Sequence, residues 1–286
     1  MNIFLFLLFL FSTSCHADLT GPGTGIGNPI TGGVSGEVLY TDASGNMASI
    51  PAQRLFKDTT SFLPNGTTTY VKYGANLQFG GNQAFTISIW RKGLTAGFRA
   101  MVTNDRGDAA TNGGYWFAEF SGNLSFSIHG TPVTDQLRVE TTAPTVSNNT
   151  AWNNLVVSYN GNKAPSGVAM YVDGTLATNT TITNTLTSNL LTYDVGGELA
   201  VSKFFTGSDY ADAARFDELA IFNVALNASE VSALRSSGKP ANLFTHSRYA
   251  DLQLWSGYEF DFIDRKGNYN GTPVGLVATD FLIDIP

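Results

Sequence analysis

The 286-residue chain contains one cysteine, Cys15, so no disulfide can form within it. Stability must then come from buried apolar surface, a metal or association of chains. Charge is scarce as well: Asp, Glu, Lys and Arg make up 14% of the residues, the formal net charge is −7, and Lys and Arg nowhere cluster. Such a surface excludes a nucleic-acid partner, whose phosphates demand a basic face. With three histidines and a single cysteine there is no clustered His/Cys metal site, and neither a nucleophile elbow nor a phosphate-binding glycine loop occurs.

Long apolar runs are missing except at the N-terminus, which reads MNIFLFLLFLFSTSCHA. Its apolar part, Ile3 to Phe11, is too short for a comfortable bilayer span. Small polar residues follow, and Cys15 and Ala17 stand at the −3 and −1 positions of a cleavage site, as in a secretory signal. No Lys or Arg precedes the run, and Ser12, rather than a large aliphatic residue, stands three before Cys15, which argues against lipidation. The expectation is that residues 1–17 are removed and the chain is exported to the periplasm, cell surface or medium.

Gly, Thr, Ser and Asn are abundant, and the apolar residues alternate with polar ones in short runs. The clearest stretch is Ala151 to Gly174, AWNNLVVSYNGNKAPSGVAMYVDG. Leu155, Val157 and Tyr159 repeat with period two, as do Val168, Met170 and Val172 after a loop rich in Gly, Asn and Pro. Asp173-Gly174 then supplies a tight turn. Further strands are expected at Phe85 to Trp90, Phe98 to Val102, Tyr115 to Phe120, Leu124 to Ile128, Val133 to Val139 and Phe216 to Phe222. Phe62, Tyr70, Val71 and Leu77 open the domain, with a turn at Pro64-Asn65-Gly66, and Thr175 to Asn189 reads as a long connection or edge strand. So many short strands with few helices predict an all-β, two-sheet antiparallel sandwich.

Four elements in order carry a family resemblance. Phe85-Thr86-Ile87-Ser88-Ile89-Trp90, the Trp152 strand with its Tyr171-Val172-Asp173-Gly174 ending, Phe216-Asp217-Glu218-Leu219-Ala220-Ile221-Phe222, and Ala225-Leu226 through Glu230 to Leu234 together resemble the laminin-G-like, concanavalin-A-like jelly roll. The resemblance spans roughly Phe62 to Lys239. It implies a jelly-roll sandwich and, since a fold hosts many functions, leaves the site to be argued separately. Glucanases on related jelly rolls carry E-x-D-x-x-E on one strand. Here Asp217 and Glu218 are adjacent, which on a pleated strand sends them to opposite faces, so no enzyme is expected.

The leader and the tail carry further resemblances. Residues Ile30 to Gly33, Gly36 to Tyr40 and Ser44 to Ala48 are similar to a segment of phage tail-fibre-like proteins, which implies an extended β shaft at residues 18–53 that trimerises; Glu37 to Thr41 and Met47 to Ile50 read as a small hairpin within it. A flexible leader is the bland alternative. After the jelly roll at 54–240, residues 241–286 resemble an extension found in phage structural proteins, through Thr245-His246-Ser247, Leu252 to Tyr258, Asp264 to Gly267, Asn270-Gly271-Thr272 and Ile283-Asp284-Ile285-Pro286. The simplest role for it is to cover the sandwich with extra strands.

Two polar loops hold the candidate chemistry. Asp105, Arg106, Asp108, Asn112, Tyr115 and Trp116 in one, and Phe205, Asp209 and Tyr210 in the other, combine aromatic faces with hydroxyl-binding groups, the pairing that sugars require. Asn104, Asp105 and Asp108 also supply the oxygens a calcium ion takes, although their spacing is not that of an EF-hand. Solvated loop carboxylates are the default reading of these, and Trp116 serves equally well as a core residue or a ligand platform. Trp90 and Trp152 are expected in the core, and His129 and His246 at turns or on the surface. Signal, shaft and lectin-like tip together resemble the mosaic adhesive trimers of predatory bacteria. That resemblance implies an exported homotrimeric adhesin recognising a cell-surface glycan; the alternative is a structural protein of a virion or extracellular filament.

Overall fold

The computed structural model describes residues 37–41, 47–51, 60–93, 98–104, 113–120, 122–130, 134–142, 150–189, 198–203, 214–259 and 261–286. The chain divides into two compact units, Met1–Lys57 and Asp58–Pro286. In the first, β1 (Glu37–Thr41) and β2 (Met47–Pro51) form an antiparallel hairpin with Thr41 opposite Met47.

The second unit is a sandwich of two eight-stranded sheets. Sheet I runs β12 (Thr175–Leu176), β11 (Val168–Val172), β10 (Trp152–Tyr159), β5 (Phe85–Lys92), β15 (Arg215–Phe222), β3 (Ser61–Phe62) and β20 (Phe281–Leu282), and β18 (Leu252–Ser256) also pairs with β15. Sheet II runs β13 (Asn179–Asn184), β9 (Gln136–Thr141), β8 (Asn123–His129), β7 (Gly114–Phe120), β6 (Phe98–Thr103), β14 (Ala200–Val201), β4 (Tyr70–Lys72) and β19 (Thr272–Val274). The pairings are antiparallel throughout. A short helix, α1 (Ala228–Ser232), and a two-residue hairpin of β16 (Arg235–Ser236) and β17 (Lys239–Pro240) follow β15.

Alternation decides which side chains meet between the sheets. On β10, Leu155, Val157 and Tyr159 enter the core, and β11 pairs with it in register from Leu155 opposite Val172 to Tyr159 opposite Val168. Asp173 and Gly174 both have positive φ, 53° and 79°, as a primed turn between β11 and β12 requires. The core is strongly aromatic: Phe79 stacks on Phe85 at 4.5 Å, and Phe62 meets Tyr258 edge-on at 4.6 Å. Each such ring contributes about 1.5–3 kcal/mol by leaving water. The helix after β15 is started by Asn227 and Glu230, which form a capping box.

The structure corrects several expectations. β9 begins at Gln136 rather than Val133, residues 131–133 being outside the described ones. Leu77 is in no strand and has φ 55°. Thr175 to Asn189 supplies edge strands to both sheets, β12 and β13, the latter with a bulge between Thr181 and Thr183. His129 and His246 are buried. The ring of His246 accepts from the Arg248 N–H through Nδ1, so Nε2 carries the proton and donates to the Glu230 carbonyl at 2.9 Å, tying the tail to α1. Trp152 is only half-buried, its indole donating to Asp284, whereas Trp90 is buried as expected, outside the cluster between the sheets and under the Arg235 guanidinium at 5.5 Å.

Residues 241–286 complete both sheets rather than merely covering them. β18 and β20 extend sheet I, and β19 extends sheet II, with Pro273 on an edge where its missing N–H is not needed. Asp264 orders the intervening turn by accepting the backbone N–H groups of Trp255, Lys266, Asn268 and Tyr269 at 2.8–2.9 Å. Gly271 fits because it lies against the sandwich: a Cβ there would stand 2.8 Å from Val71 Cγ1 and from Phe262 Cβ. Asp284 accepts from Lys92 at 2.9 Å, from Trp152 at 3.1 Å and from Arg215. These three donors form one cross-strand row on β10, β5 and β15.

The main anchor is a bulge on β15. Register shifts between Asp217 and Ala220, and Glu218 takes φ 46°, so the strict alternation expected for Asp217 and Glu218 is interrupted. The Glu218 side chain, 3% exposed, accepts from Arg265 Nη1 at 2.7 Å and from the Trp255 indole. Burial alone would lower the Arg265 pKa, but the charge and hydrogen bond of Glu218 together with the Glu259 charge outweigh it, and the guanidinium is held more firmly protonated than usual.

Replacing Arg265 by Met leaves the buried Glu218 charge without its counter-charge, and should lower unfolding stability by about 3–5 kcal/mol in urea denaturation. Alkali offers a second check. Burial raises the phenol pKa values of Tyr73 and Tyr258, which also bond one another at 3.2 Å. Unfolded tyrosine ionises near pH 10, so stability from these phenols is complete below that pH and falls as pH rises above it. Near-ultraviolet circular dichroism should show Tyr258→Phe about 1 kcal/mol weaker at pH 8, yet losing less of its remaining stability between pH 8 and 11 than the wild type.

Candidate functional site

Most sequence-selected candidates lie outside the described residues: Asp105, Arg106, Asp108 and Asn112 in one loop, Phe205, Asp209 and Tyr210 in the other. Their roots are nonetheless placed. The first loop leaves β6 after Thr103 and returns at Gly114. The second follows β14, which runs antiparallel to β6 with Ala200 opposite Thr103 and Val201 opposite Val102, and ends at Arg215 opposite Lys92 of β5. The two loops are therefore rooted toward opposite ends of β6, about 17 Å of strand at ~3.3 Å per residue.

Of the described candidates, Tyr115 and Trp116 part company. Tyr115 lies wholly in the core, its hydroxyl donating to the Leu77 carbonyl at 2.8 Å, and burial raises its pKa; it is removed from the ligand-binding set. Asn104 is buried, and its amide donates to the carbonyls of Asn76 and Leu77 at 2.8 and 3.2 Å. Its amide oxygen is the one oxygen of the calcium set that lies among the described residues. Asp105 and Asp108, its proposed co-ligands, lie outside the described residues, and among the described ones no three His, Cys, Asp or Glu side chains converge on a metal.

Trp116 points the other way. Tyr115 and Phe117, its neighbours on β7, are in the core, so the pleat puts Trp116 on the outer face of sheet II, where it packs with Ala100 and Ala118 apart from the main cluster. It is opposite Ser127 on β8, and Ser127 is opposite Arg138 on β9. The Arg138 guanidinium lies 5.3 Å from the indole centroid and pairs with Glu140, two residues along the same strand. Ser125 donates to Glu140 at 3.0 Å, and Gln136 donates to Ser127 at 2.8 Å. Trp116 itself is only 6% exposed, whereas the side chains of Arg138 and Glu140 are 30% and 13% exposed. The ring is thus a backing plate, and the charged fork over it is what faces outward. Small residues on β6 to β8, Ala100, Ala118, Ser125 and Ser127, leave room for that arrangement.

Residues 65–232, more than half the chain, match the family described as the concanavalin A-like lectin/glucanases superfamily. The chain belongs to this superfamily. Its two-sheet architecture agrees, and the C-terminal extension lies beyond the matched segment. No curated protein matches the chain. Among solved structures, a Bacteroides ovatus protein described as carbohydrate-binding aligns at 14% identity over 87% of this chain and 67% of its own, with TM-score 0.54. The CBM40 of a Ruminococcus gnavus sialidase, bound to α2,3-sialyllactose, aligns at 10% identity over 62% of this chain and 96% of its own, with TM-score 0.44. A SAP-like pentraxin of Limulus polyphemus aligns at 13% identity over 64% and 83%, with TM-score 0.42.

Sequence reasoning missed Arg138, Glu140 and Gln136. The signal available was the alternation Gln136, Arg138, Glu140 against Leu137 and Val139 on β9, which puts all three on one face. An outward Trp116 should also behave unlike its core neighbour. Phe117→Ala should cost about 3–5 kcal/mol, and Trp116→Ala clearly less, measured side by side by thermal unfolding.

Proposed function

We propose that the chain is an exported, non-catalytic, homotrimeric fibre adhesin whose jelly roll recognises a cell-surface glycan. The observation that carries the reading is the Trp116-backed fork of Arg138 and Glu140 on the outer face of sheet II. A guanidinium gives paired N–H donors and a carboxylate gives acceptors, so together they match the hydroxyls of a sugar ring, and Gln136 beside them adds an amide. The lectin/glucanase fold and the carbohydrate-binding description of the Bacteroides ovatus protein support the same class of ligand.

In this reading residues 1–17 are a cleaved signal, 18–53 a shaft that holds three chains together, and the jelly roll with its extension the tip. Weak single sites gain strength from three linked copies, because linkage raises the effective concentration of the second and third. One observation favours the structural alternative: Arg138 with Glu140, Ser125 with Glu140 and Gln136 with Ser127 already bond to one another, as on packing surfaces. A filament protein would then need no ligand.

Glycan arrays probed with residues 18–286 separate the two. The adhesin reading expects binding that Arg138→Ala abolishes and Trp116→Ala weakens about tenfold or more, the equivalent of 1.4 kcal/mol, with oligomeric state unchanged. Intact trimers with no glycan bound would favour the structural role.

A further inference from the structure

We propose that a second ligand contact lies on the outer face of sheet II, where Lys203 rests over Tyr70, and that the ligand is an acidic oligosaccharide whose carboxylate or sulfate meets Lys203. The inference rests on the glycan reading above and adds the length and charge of the ligand. Register places the two contacts on one face. Val71 of β4 is in the core, so its neighbours Tyr70 and Lys72 point outward. Lys72 is opposite Ala200 of β14, Ala200 is opposite Thr103 of β6, and Thr103 is opposite Trp116 of β7. Lys72 and Trp116 therefore stand in one cross-strand row, three strand spacings or about 14 Å apart, with Tyr70 about 7 Å further along β4.

The build at Trp116 is repeated at Tyr70. At Trp116 the Arg138 guanidinium lies 5.3 Å from the ring centroid, beside Glu140. At Tyr70 the Lys203 ammonium lies 4.7 Å from the ring centroid, beside the Lys72–Glu198 pair at 3.2 Å. Tyr70 and Lys203 are half-buried, and the side chains of Lys72 and Glu198 are 34% and 24% exposed, so this contact is open to a ligand. The backbone brings Lys203 there. Val201 is in the core, and an unbroken strand would send Lys203 inward as well, but Ser202 takes φ 67° and interrupts the alternation. Left-handed residues other than glycine are strained, and such strain gathers at ligand contacts.

Charge selects the ligand. Arg138 and Lys72 each face a carboxylate, so those two pairs are neutral. Lys203 has the ring beneath it, and among the described residues no carboxylate pairs with it. Its ammonium carries three N–H donors, and a π-face engages it from one side, which leaves the outward side for an anion. The net charge of −7 opposes that anion only from a distance, and physiological salt screens it beyond about 8 Å. One sugar ring cannot touch both contacts. An oligosaccharide can, with a hydroxyl-bearing unit at Arg138 and Glu140 and an acidic unit at Lys203. Ala200 and Thr103, between the two, are wholly buried, so the ligand is gripped at two points rather than along its length.

The test reads the full chain, exported and purified, on an array of neutral, uronate-bearing and sulfated glycans, each present as monosaccharide and as oligosaccharide. Acidic oligosaccharides are expected to bind about tenfold or more tightly than neutral ones of the same length and than acidic monosaccharides. The uronate and sulfate sets show which acid is taken. Lys203→Ala removes the preference and Lys203→Glu reverses it, whereas Lys239→Ala, the same loss of charge at an exposed position on β17, leaves it in place. Added salt weakens the wild type more than Lys203→Ala. If neutral glycans bind best, or acidic ones bind the wild type and Lys203→Ala equally, while Arg138→Ala abolishes binding, this inference is overturned and the glycan reading stands. No glycan bound at all overturns both.

Discussion

Glu218 sits on the bulge of β15 with its carboxylate almost wholly out of water, and a charge so placed persists only because Arg265 and Trp255 meet it from the C-terminal extension. Both partners come from beyond the segment that matches the superfamily, so the jelly roll proper carries a charge it cannot compensate itself. The extension then does what an open sandwich needs. Its strands β18 and β20 continue sheet I past β15 and β3, and β19 continues sheet II past β4. Edges that would otherwise present unpaired backbone groups are occupied. The Asp264 turn and the Asp284 row of donors depend on that docking.

A second buried pair works between the sheets. Arg91 of β5 and Glu119 of β7 are fully buried and lie 3.4 Å apart, which fixes one sheet against the other where an apolar contact would allow sliding. With the interior held by aromatic rings and this pair, the outer face of sheet II is free to carry polar chemistry. Arg138 and Glu140 lie there on one strand, over a tryptophan that the pleat has turned away from the core. This candidate platform is thus a property of sheet register, built on rigid strands, whereas the loop candidates drawn from composition lie outside the described residues.

What was legible in the sequence was whatever depends on neighbours along the chain. The period-two runs of β5, β10 and β11 and the Asp173-Gly174 turn are local, and each was found where the residues indicated. Tyr115 and Trp116 show where locality ends. Alternation says that they face opposite ways, but β7 reads Gly-Tyr-Trp-Phe-Ala-Glu-Phe, apolar on both faces, so nothing within the strand tells inside from outside. Glu218 is harder still, because a left-handed glutamate has no composition signal. Lys92 and Trp152, two of the partners of Asp284, lie 192 and 132 residues away from it and converge only through sheet order.

The two ends of the jelly roll lie on neighbouring antiparallel strands, β3 and β20. When the sandwich is pulled from Thr60, this arrangement sets a mechanical route. Tension enters at Thr60, passes along β3, and is shared at once with β15 on one side and with β20 on the other. β20 is only two residues long, so its load runs on to the Asp284 carboxylate and, through Lys92, Trp152 and Arg215, into three of the longest strands of sheet I. The last few residues of the chain therefore act as a strain relief, spreading a pull on a two-residue strand across the width of the sheet.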